Sequence, residues 1–157
     1  MESNMEPLAV RIVRLDPMRV ASVHAFSASP EHEAWKKLNT WAQPRGLLNK
    51  PGEHRIFGFN NPSPSGGSPN YGYEFWIQVP PALKDEDGAA IKTFEGGLYA
   101  VAHFKGRVED ISERWKQLSI WCENSAYKFA AHQWLEEHLS TATAEMIELD
   151  LYLPITE

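Results

Sequence analysis

The feature that most constrains this chain is an internal repeat. The segment WKKLNTWA at 35–42 returns as WKQLSIWC at 115–122, 80 residues later, with tryptophan, lysine, leucine and tryptophan in register. The flanks recur in the same order, and the repeat aligns His24 with His103. Self-similarity at a fixed period is typical of a duplicated structural unit. A chain of 157 residues therefore predicts one domain built from two copies of a single unit.

Each copy predicts the order strand, strand, helix, strand, strand. The first helix begins after Ser29-Pro30, because apolar residues then recur with helical spacing. We expect repeat one to span about 8–80, a linker 81–90 and repeat two about 91–155 of the single domain 1–157. The elements predicted for the first copy are strands at 10–15 and 19–26 that form a hairpin across Asp16-Pro17, a helix at 31–42, and paired strands at 54–59 and 73–79.

Two strands alternate apolar and polar residues. In the strand at 73–79 the odd-numbered residues are apolar and predict a face packed on the helix, while Glu74 and Trp76 lie on the other face. The closing strand at 147–154 alternates in the same way, and the repeat aligns Glu148 with Glu74. The mixed face is left for solvent or a binding cleft.

The second copy contains one conflict. Local propensity between residues 128 and 145 favours a helix, whereas the repeat predicts a strand that begins near His132. We follow the repeat, because tertiary context often overrides propensity. The segment 60–70 is rich in proline, glycine and serine, and predicts a long loop that covers a site.

Charge and composition limit the partners. The net charge is −6, and lysine and arginine are scattered rather than gathered in the basic stripe that a nucleic-acid binder needs. Cys122 is the only cysteine, so the chain requires no oxidising compartment. The N-terminus has no secretory signal, and no apolar run is long enough to span a membrane. We expect a cytoplasmic monomer that contacts neither nucleic acid nor membrane.

The familiar catalytic motifs do not occur in this sequence. It contains no HExxH, no GxSxG and no glycine-rich phosphate loop, and a single cysteine excludes a CxxC pair. The six histidines match no metal-ligand spacing. We therefore expect no metal and no cofactor.

Carboxylates beside aromatic residues are the constellation that points to a ligand. Glu74 shares a strand face with Trp76, and Trp134, Glu136 and His138 share a face if their segment is a strand. Aromatic rings attract an organic cation through their faces, and a carboxylate neutralises its charge in a partly dry pocket. The alternative for each glutamate is an ordinary solvated position on an edge strand.

The chain as a whole resembles the GyrI-like domain, the SOUL/BmrR-type effector-binding domain of some transcription regulators that also occurs as a stand-alone protein. The resemblance covers roughly residues 8–155. With only about seven residues ahead of the first strand, we expect a stand-alone member without a helix-turn-helix module. The segments that carry the resemblance are VRIVRLDPMRVASVHAF, YGYEFWIQVP at 71–80, GLYAVAHFKG at 97–106, ISERWKQLSIWCENSAY at 111–127 and IELDLYLPI at 147–155.

The resemblance implies an α+β fold of two βαββ repeats related by a pseudo-twofold axis. Their antiparallel sheets would carry both helices on one side, with a ligand cleft between the repeats. In drug-binding members a buried glutamate lies in a Phe-Glu-x-Tyr pattern, and Leu135-Glu136-Glu137-His138 is the nearest match. The candidate ligand-binding residues are therefore Glu136, Glu74, Trp76, Trp134, His138, Tyr152, Phe57 and Tyr99.

Three functions remain open from the sequence. The first is a multidrug-type sensor or sequestering protein for hydrophobic aromatic molecules, cationic ones included, without turnover. The second is a hydrolase of reactive cyclopropane-bearing genotoxins, in which Glu136 is the general base and either Tyr152 or His138 orients the substrate. The third is a gyrase-inhibitor-like module that binds a protein. We expect a binding protein rather than an enzyme.

Overall fold

The computed structural model describes residues 6–50, 52–84, 88–139 and 146–157. The chain divides into a first unit, Pro17–Glu95, and a second unit, Met1–Asp16 with Gly96–Glu157. Within the described residues the helices and strands are β1 (Val10–Leu15), β2 (Met18–Ser27), α1 (Pro30–Ala42), β3 (Ile56–Asn60), β4 (Tyr71–Gln78), β5 (Ala90–Phe94), β6 (Gly97–Gly106), α2 (Ile111–Glu123), β7 (Lys128–Phe129), β8 (Leu135–His138) and β9 (Ile147–Thr156).

The first unit is an antiparallel sheet in the order β3-β4-β2-β5, with α1 packed on one face. Helix α1 begins at Pro30, whose fixed φ suits the first helical position. A short 3-10 helix, Gln43–Arg45, follows α1 and ends at Gly46, which adopts a left-handed φ of 75°. In the core of the first unit, Leu38 of α1 packs with Phe75 of β4, as the alternation of the 73–79 strand predicts.

The second unit repeats this arrangement with β8-β9-β6-β1 as its strand order, and the short β7 also pairs with β9. Leu118 of α2 packs against Leu149 and Leu151 of β9, so the predicted apolar face again covers a helix. The α+β class is confirmed. The duplication, the pseudo-twofold axis and the cleft remain predictions, and the shared strand order agrees with the first of them.

Two local predictions have opposite outcomes. Residues 135–138 form the strand β8, so the repeat was a better guide than helix propensity. The hairpin across Asp16-Pro17 is wrong, because β1 pairs with β6 while β2 pairs with β4 and β5. The end of β1 lies against Gly96, where an added Cβ would be 2.1 Å from the Leu15 carbonyl oxygen. Strand β1 thus completes the sheet of the second unit.

The strand register also corrects one alignment between the repeats. His24 lies opposite Glu74 in the first unit, and His103 lies opposite Asp150 in the second. Aligning the units on these histidines makes Asp150, rather than Glu148, the structural counterpart of Glu74.

Candidate ligand-binding site

Strand β8 directs Glu136 toward the helix side of the second unit. Glu136 lies opposite Leu151, whose side chain is in the core beneath α2. Side chains alternate along a strand, so Glu136 and His138 share this face and Glu137 takes the other. The indole Nε1 of Trp115, on α2, donates a hydrogen bond of 3.0 Å to Glu136 Oε2. The carboxylate is half-buried, which leaves it oriented and within reach of solvent.

Aromatic rings continue from Trp115 toward the surface. The rings of Trp115 and Trp134 lie 5.3 Å apart at 48°, and Phe129 is nearly parallel to Trp134 at 6.5 Å. Trp134 is 40% exposed and Phe129 is 45% exposed. Exposed apolar side chains that form one contiguous patch often mark a binding site. We call Trp115, Phe129, Trp134 and Glu136 the aromatic–carboxylate cluster.

His138 lies on the same strand face as Glu136. Burial lowers the pKa of His138 to about 4, although the nearby Glu137 carboxylate acts in the opposite direction. The imidazole is therefore neutral near pH 7. It brings no positive charge that would compete with a cationic ligand for the carboxylate.

Glu137, Tyr152 and Tyr99 occupy the opposite face of the same sheet. Glu137 is buried and accepts a hydrogen bond of 2.7 Å from the Tyr152 hydroxyl. The rings of Tyr99 and Tyr152 meet edge to face at 5.5 Å, and Tyr99 donates to the Gln133 carbonyl. Burial raises the pKa of Tyr99. The structure thus pairs Tyr152 with Glu137, whereas the sequence paired it with Glu136 in a catalytic role.

Glu74 is a buried carboxylate with many partners. It accepts hydrogen bonds from Ser22, Trp76, Lys92 and Asn61, at 2.6, 2.6, 2.9 and 3.1 Å. Burial acts to raise the pKa of Glu74, but these hydrogen bonds outweigh it and hold the pKa below its ordinary value. The ammonium of Lys92 compensates the charge. Four donors, one of them charged, thus fix the Glu74 carboxylate in place.

The other predicted residues of the first unit surround Glu74. Phe57 is fully buried opposite Trp76, and Trp76 also meets Phe59 edge to face at 4.8 Å. The structure therefore separates the eight predicted residues into groups. Trp134, Glu136 and His138 lie on the helix side of β8 or next to it, Tyr99 and Tyr152 on the opposite face, and Glu74, Trp76 and Phe57 together in the first unit.

Sequence reasoning missed two members of the cluster. Trp115 was noticed only as a marker of the repeat, although its place on α2 ahead of a glutamate-bearing strand was a usable signal. Phe129 lies in the two-residue strand β7 and gives no local signal, because only the fold brings it beside Trp134.

Within the described residues neither a cluster of metal-binding side chains nor a membrane-spanning helix occurs. Across residues 6–50, 52–84, 88–139 and 146–157, no three His, Cys, Asp or Glu side chains are grouped so that they could hold a metal ion. Over the same ranges, neither helix has the length and apolar character that crossing a bilayer requires.

Antiparallel sheets that each carry one helix define the fold of this protein as α+β. The family model of the integron-associated effector binding proteins, Cass2, matches residues 11–155, and the chain belongs to that family. The resemblance to GyrI-like effector-binding domains is confirmed. No curated protein matches the sequence.

Solved structures show the same fold at low identity. EcmrR in its DNA complex is 13% identical with a TM-score of 0.70, over 96% of this chain but only 58% of EcmrR. A hydrolase from Listeria innocua is 12% identical with a TM-score of 0.65, covering 94% of this chain and 91% of that one. SAV2435 bound to tetraphenylphosphonium is 13% identical with a TM-score of 0.58, covering 94% of both chains.

Proposed function

We propose that this protein binds hydrophobic aromatic cations at the aromatic–carboxylate cluster of the second unit. The observation that carries the proposal is the hydrogen bond from Trp115 to a half-buried Glu136 beside the exposed ring of Trp134. An indole ring attracts a cation through its face, and an oriented carboxylate supplies the counter-charge. The tetraphenylphosphonium bound to SAV2435 is a ligand of this chemical class.

The test is a titration of the full chain with tetraphenylphosphonium. Binding is measured by calorimetry and by the quenching of tryptophan emission. We expect saturable binding that Glu136→Gln weakens by about tenfold or more, which is about 1.4 kcal/mol. Glu113→Gln is the matched control, since it removes the same charge from an exposed position on α2. Equal affinity for the wild type and Glu136→Gln would refute the assignment of Glu136.

Glu137 gives a second comparison within the same strand. It is adjacent to Glu136 but lies on the opposite face with Tyr152. If Glu137→Gln, and not Glu136→Gln, weakens binding in protein that remains folded, the ligand site is on the Tyr152 face instead.

A hydrolytic activity at the same glutamate is the second candidate. Glu136 is oriented by an indole donor and is partly open to solvent, which suits a general base acting on water. The likeness to a hydrolase from Listeria innocua is consistent with such chemistry. Turnover of a cyclopropane-bearing alkylating compound that disappears in Glu136→Gln would support an enzyme. Saturable binding without turnover would leave the binding function alone.

A further inference from the structure

The segment ahead of β1 is attached to the second unit through Glu6. The Glu6 carboxylate is bonded to Nδ1 of His103 on β6, and Nε2 of the same ring lies 2.8 Å from a carboxylate oxygen of Glu148 on β9. Leu8 packs against the core beneath α2. A carboxylate–imidazole contact at Glu6 and apolar packing at Leu8 thus hold segment 6–9 in place.

The backbone of Glu6 meets a buried arginine. Arg114 of α2 is only 1% exposed, and its guanidinium donates hydrogen bonds of 2.5 Å to the Glu6 carbonyl oxygen and 2.9 Å to Gln117 Oε1. Its Nε has no hydrogen-bond partner in the part of the chain that the structure describes. Both acceptors are neutral, and the N-terminal end of a helix adds partial positive charge. Arg114 therefore depends on the Glu6 carbonyl, because a buried charged donor that loses its acceptor is strongly destabilised.

The charge state of His103 decides whether both carboxylates can be held. An imidazolium donates from both ring nitrogens, whereas a neutral imidazole donates from one and presents a lone pair at the other. Deprotonation therefore sets a lone pair against a carboxylate oxygen. Glu148 belongs to β9, which pairs with β6 on one side and β8 on the other, while Glu6 lies in a segment outside the sheet. The contact with Glu6 is thus the one that opens.

The other described charges around His103 lie on the strands beside it. Asp150 is opposite His103 on β9 and favours its charged form, although Arg11 of β1 binds that carboxylate at 2.5 Å. Lys105, two residues along β6, is opposite Glu148. Burial acts to lower the pKa of His103, but the bonds to its two glutamates outweigh it and raise the pKa. Segment 6–9 is therefore held below that pKa and released as the pH rises through it.

Arg114 connects this segment to the candidate ligand site. It immediately precedes Trp115, whose indole donates a hydrogen bond of 3.0 Å to Glu136. When the Glu6 carbonyl leaves, the buried guanidinium has to find another acceptor, and the first turn of α2 moves with it. A hydrogen bond weakens steeply with distance and angle, so a small shift of that turn changes the contact between Trp115 and Glu136.

We propose that protonated His103 holds segment 6–9 in place and thereby regulates the aromatic–carboxylate cluster. Arg114 acts as a positioning residue, since it joins the Glu6 carbonyl to the turn that bears Trp115. Affinity for an aromatic cation is then higher when His103 is charged. General electrostatics has the opposite sign, because a protein that loses a positive charge attracts a cation more strongly. The inference rests on the proposed function, since it concerns regulation of the same site.

The link is tested without ligand by nitrogen–proton NMR of the full chain from pH 6 to pH 9. We expect the Trp115 indole proton to shift with the same midpoint as the His103 ring. In Glu6→Gln the ring should still titrate, because Glu148 remains, but the Trp115 signal should no longer follow it. His24→Gln, which changes the counterpart histidine of the first unit, should leave the Trp115 titration unchanged. A Trp115 signal that ignores His103, or that follows it equally in Glu6→Gln, would overturn the proposal.

Ligand titrations then show whether the link reaches the binding site. Tetraphenylphosphonium should bind the wild type about threefold more tightly at pH 6 than at pH 8.5, a ratio within the range of coupling between sites. Glu6→Gln should abolish this ratio, and Glu113→Gln, which removes the same charge from an exposed position on α2, should keep it. Equal affinity at both pH values would overturn the regulation even if the Trp115 signal moves. If tetraphenylphosphonium binds at neither pH, the proposed function fails, and the NMR titration still decides the link from His103 to Trp115.

Discussion

The two units share a strand order, but the place that Glu136 takes in the second unit is filled differently in the first. Aligned on their histidines, Gly58 of β3 takes the place that Glu136 takes in β8, and Tyr73 takes the place of Leu149. In the first unit a Cβ added at Gly58 would be 2.3 Å from the Tyr73 hydroxyl oxygen. The tyrosine ring fills the space that the glutamate side chain occupies in the second unit.

The two helices carry tryptophans at corresponding positions, but the strand residues that these tryptophans contact differ between the units. Trp35 of α1, the repeat counterpart of Trp115, meets Phe75 edge to face at 5.3 Å, whereas Trp115 donates to a carboxylate. The same tryptophan thus packs against a ring in one unit and orients an acid in the other. Two units with the same strand order can thus share a type of core and differ in the polar groups beside it.

The largest effect is expected at Gly58, because the Tyr73 side chain fills the space beside it. Gly58→Ala should lower the free energy of unfolding by about 1–3 kcal/mol, because Tyr73 is buried and the new methyl group overpacks the core. Tyr73→Leu, which copies the second unit, should recover part of this loss when combined with Gly58→Ala. Urea denaturation of the two single variants and the double variant measures the coupling, and strict additivity would contradict the contact.

Glu74 should behave as a stability residue and not as a ligand residue. Glu74→Gln places amide hydrogens among four donors and should cost about 1–3 kcal/mol. The pKa of Glu74 is lowered in the folded state, so its contribution is complete above the unfolded pKa near 4.5 and is lost as pH falls through the folded pKa. Chemical denaturation from pH 7 to pH 3 should show a smaller pH dependence in Glu74→Gln.

Removing the indole donor of Trp115 on α2 should have a smaller effect than the two changes above, and it should affect ligand binding but not stability. Trp115→Phe keeps an aromatic ring but removes the hydrogen bond to Glu136, and it should weaken tetraphenylphosphonium binding roughly threefold to tenfold, about 0.7–1.4 kcal/mol. Trp35→Phe is the matched variant in the first unit and should leave binding unchanged. If both variants weaken binding equally, the two tryptophans have the same role.

The smallest expected effect concerns His103, the counterpart of His24. Its ring nitrogens bond to Glu6 and, at 2.8 Å, to Glu148. Burial acts to lower the pKa of His103, but the bonds to the two glutamates outweigh it and raise the pKa. Its contribution to stability is therefore complete below the unfolded pKa of 6.5 and is lost as pH rises through the folded pKa. Chemical denaturation of the wild type should therefore show a free energy of unfolding that falls between pH 6 and pH 8, and His103→Gln should remove that fall.

Much of the fold followed from local pattern. The tryptophan-bearing repeat predicted α1 and α2, and alternation in the strands at 73–79 and 147–154 predicted which faces cover the helices. The hairpin at Asp16-Pro17 failed because a turn signal shows where a chain bends but not which strand it pairs with. Pairing partners depend on contacts between residues far apart in sequence.

The sequence by itself determined the order of the elements and the presence of glutamates near aromatic residues, since periodicity and composition are local properties, and its resemblance to GyrI-like domains indicated the family. Only the tertiary structure decided which partners each glutamate contacts. Lys92 and Ser22 come from strands distant in sequence and fix Glu74 in place, while Trp115 meets Glu136 only because α2 packs over β9 beside β8. Such contacts join residues that are far apart in sequence, so they depend on how the elements pack and cannot be predicted from the local pattern around each glutamate.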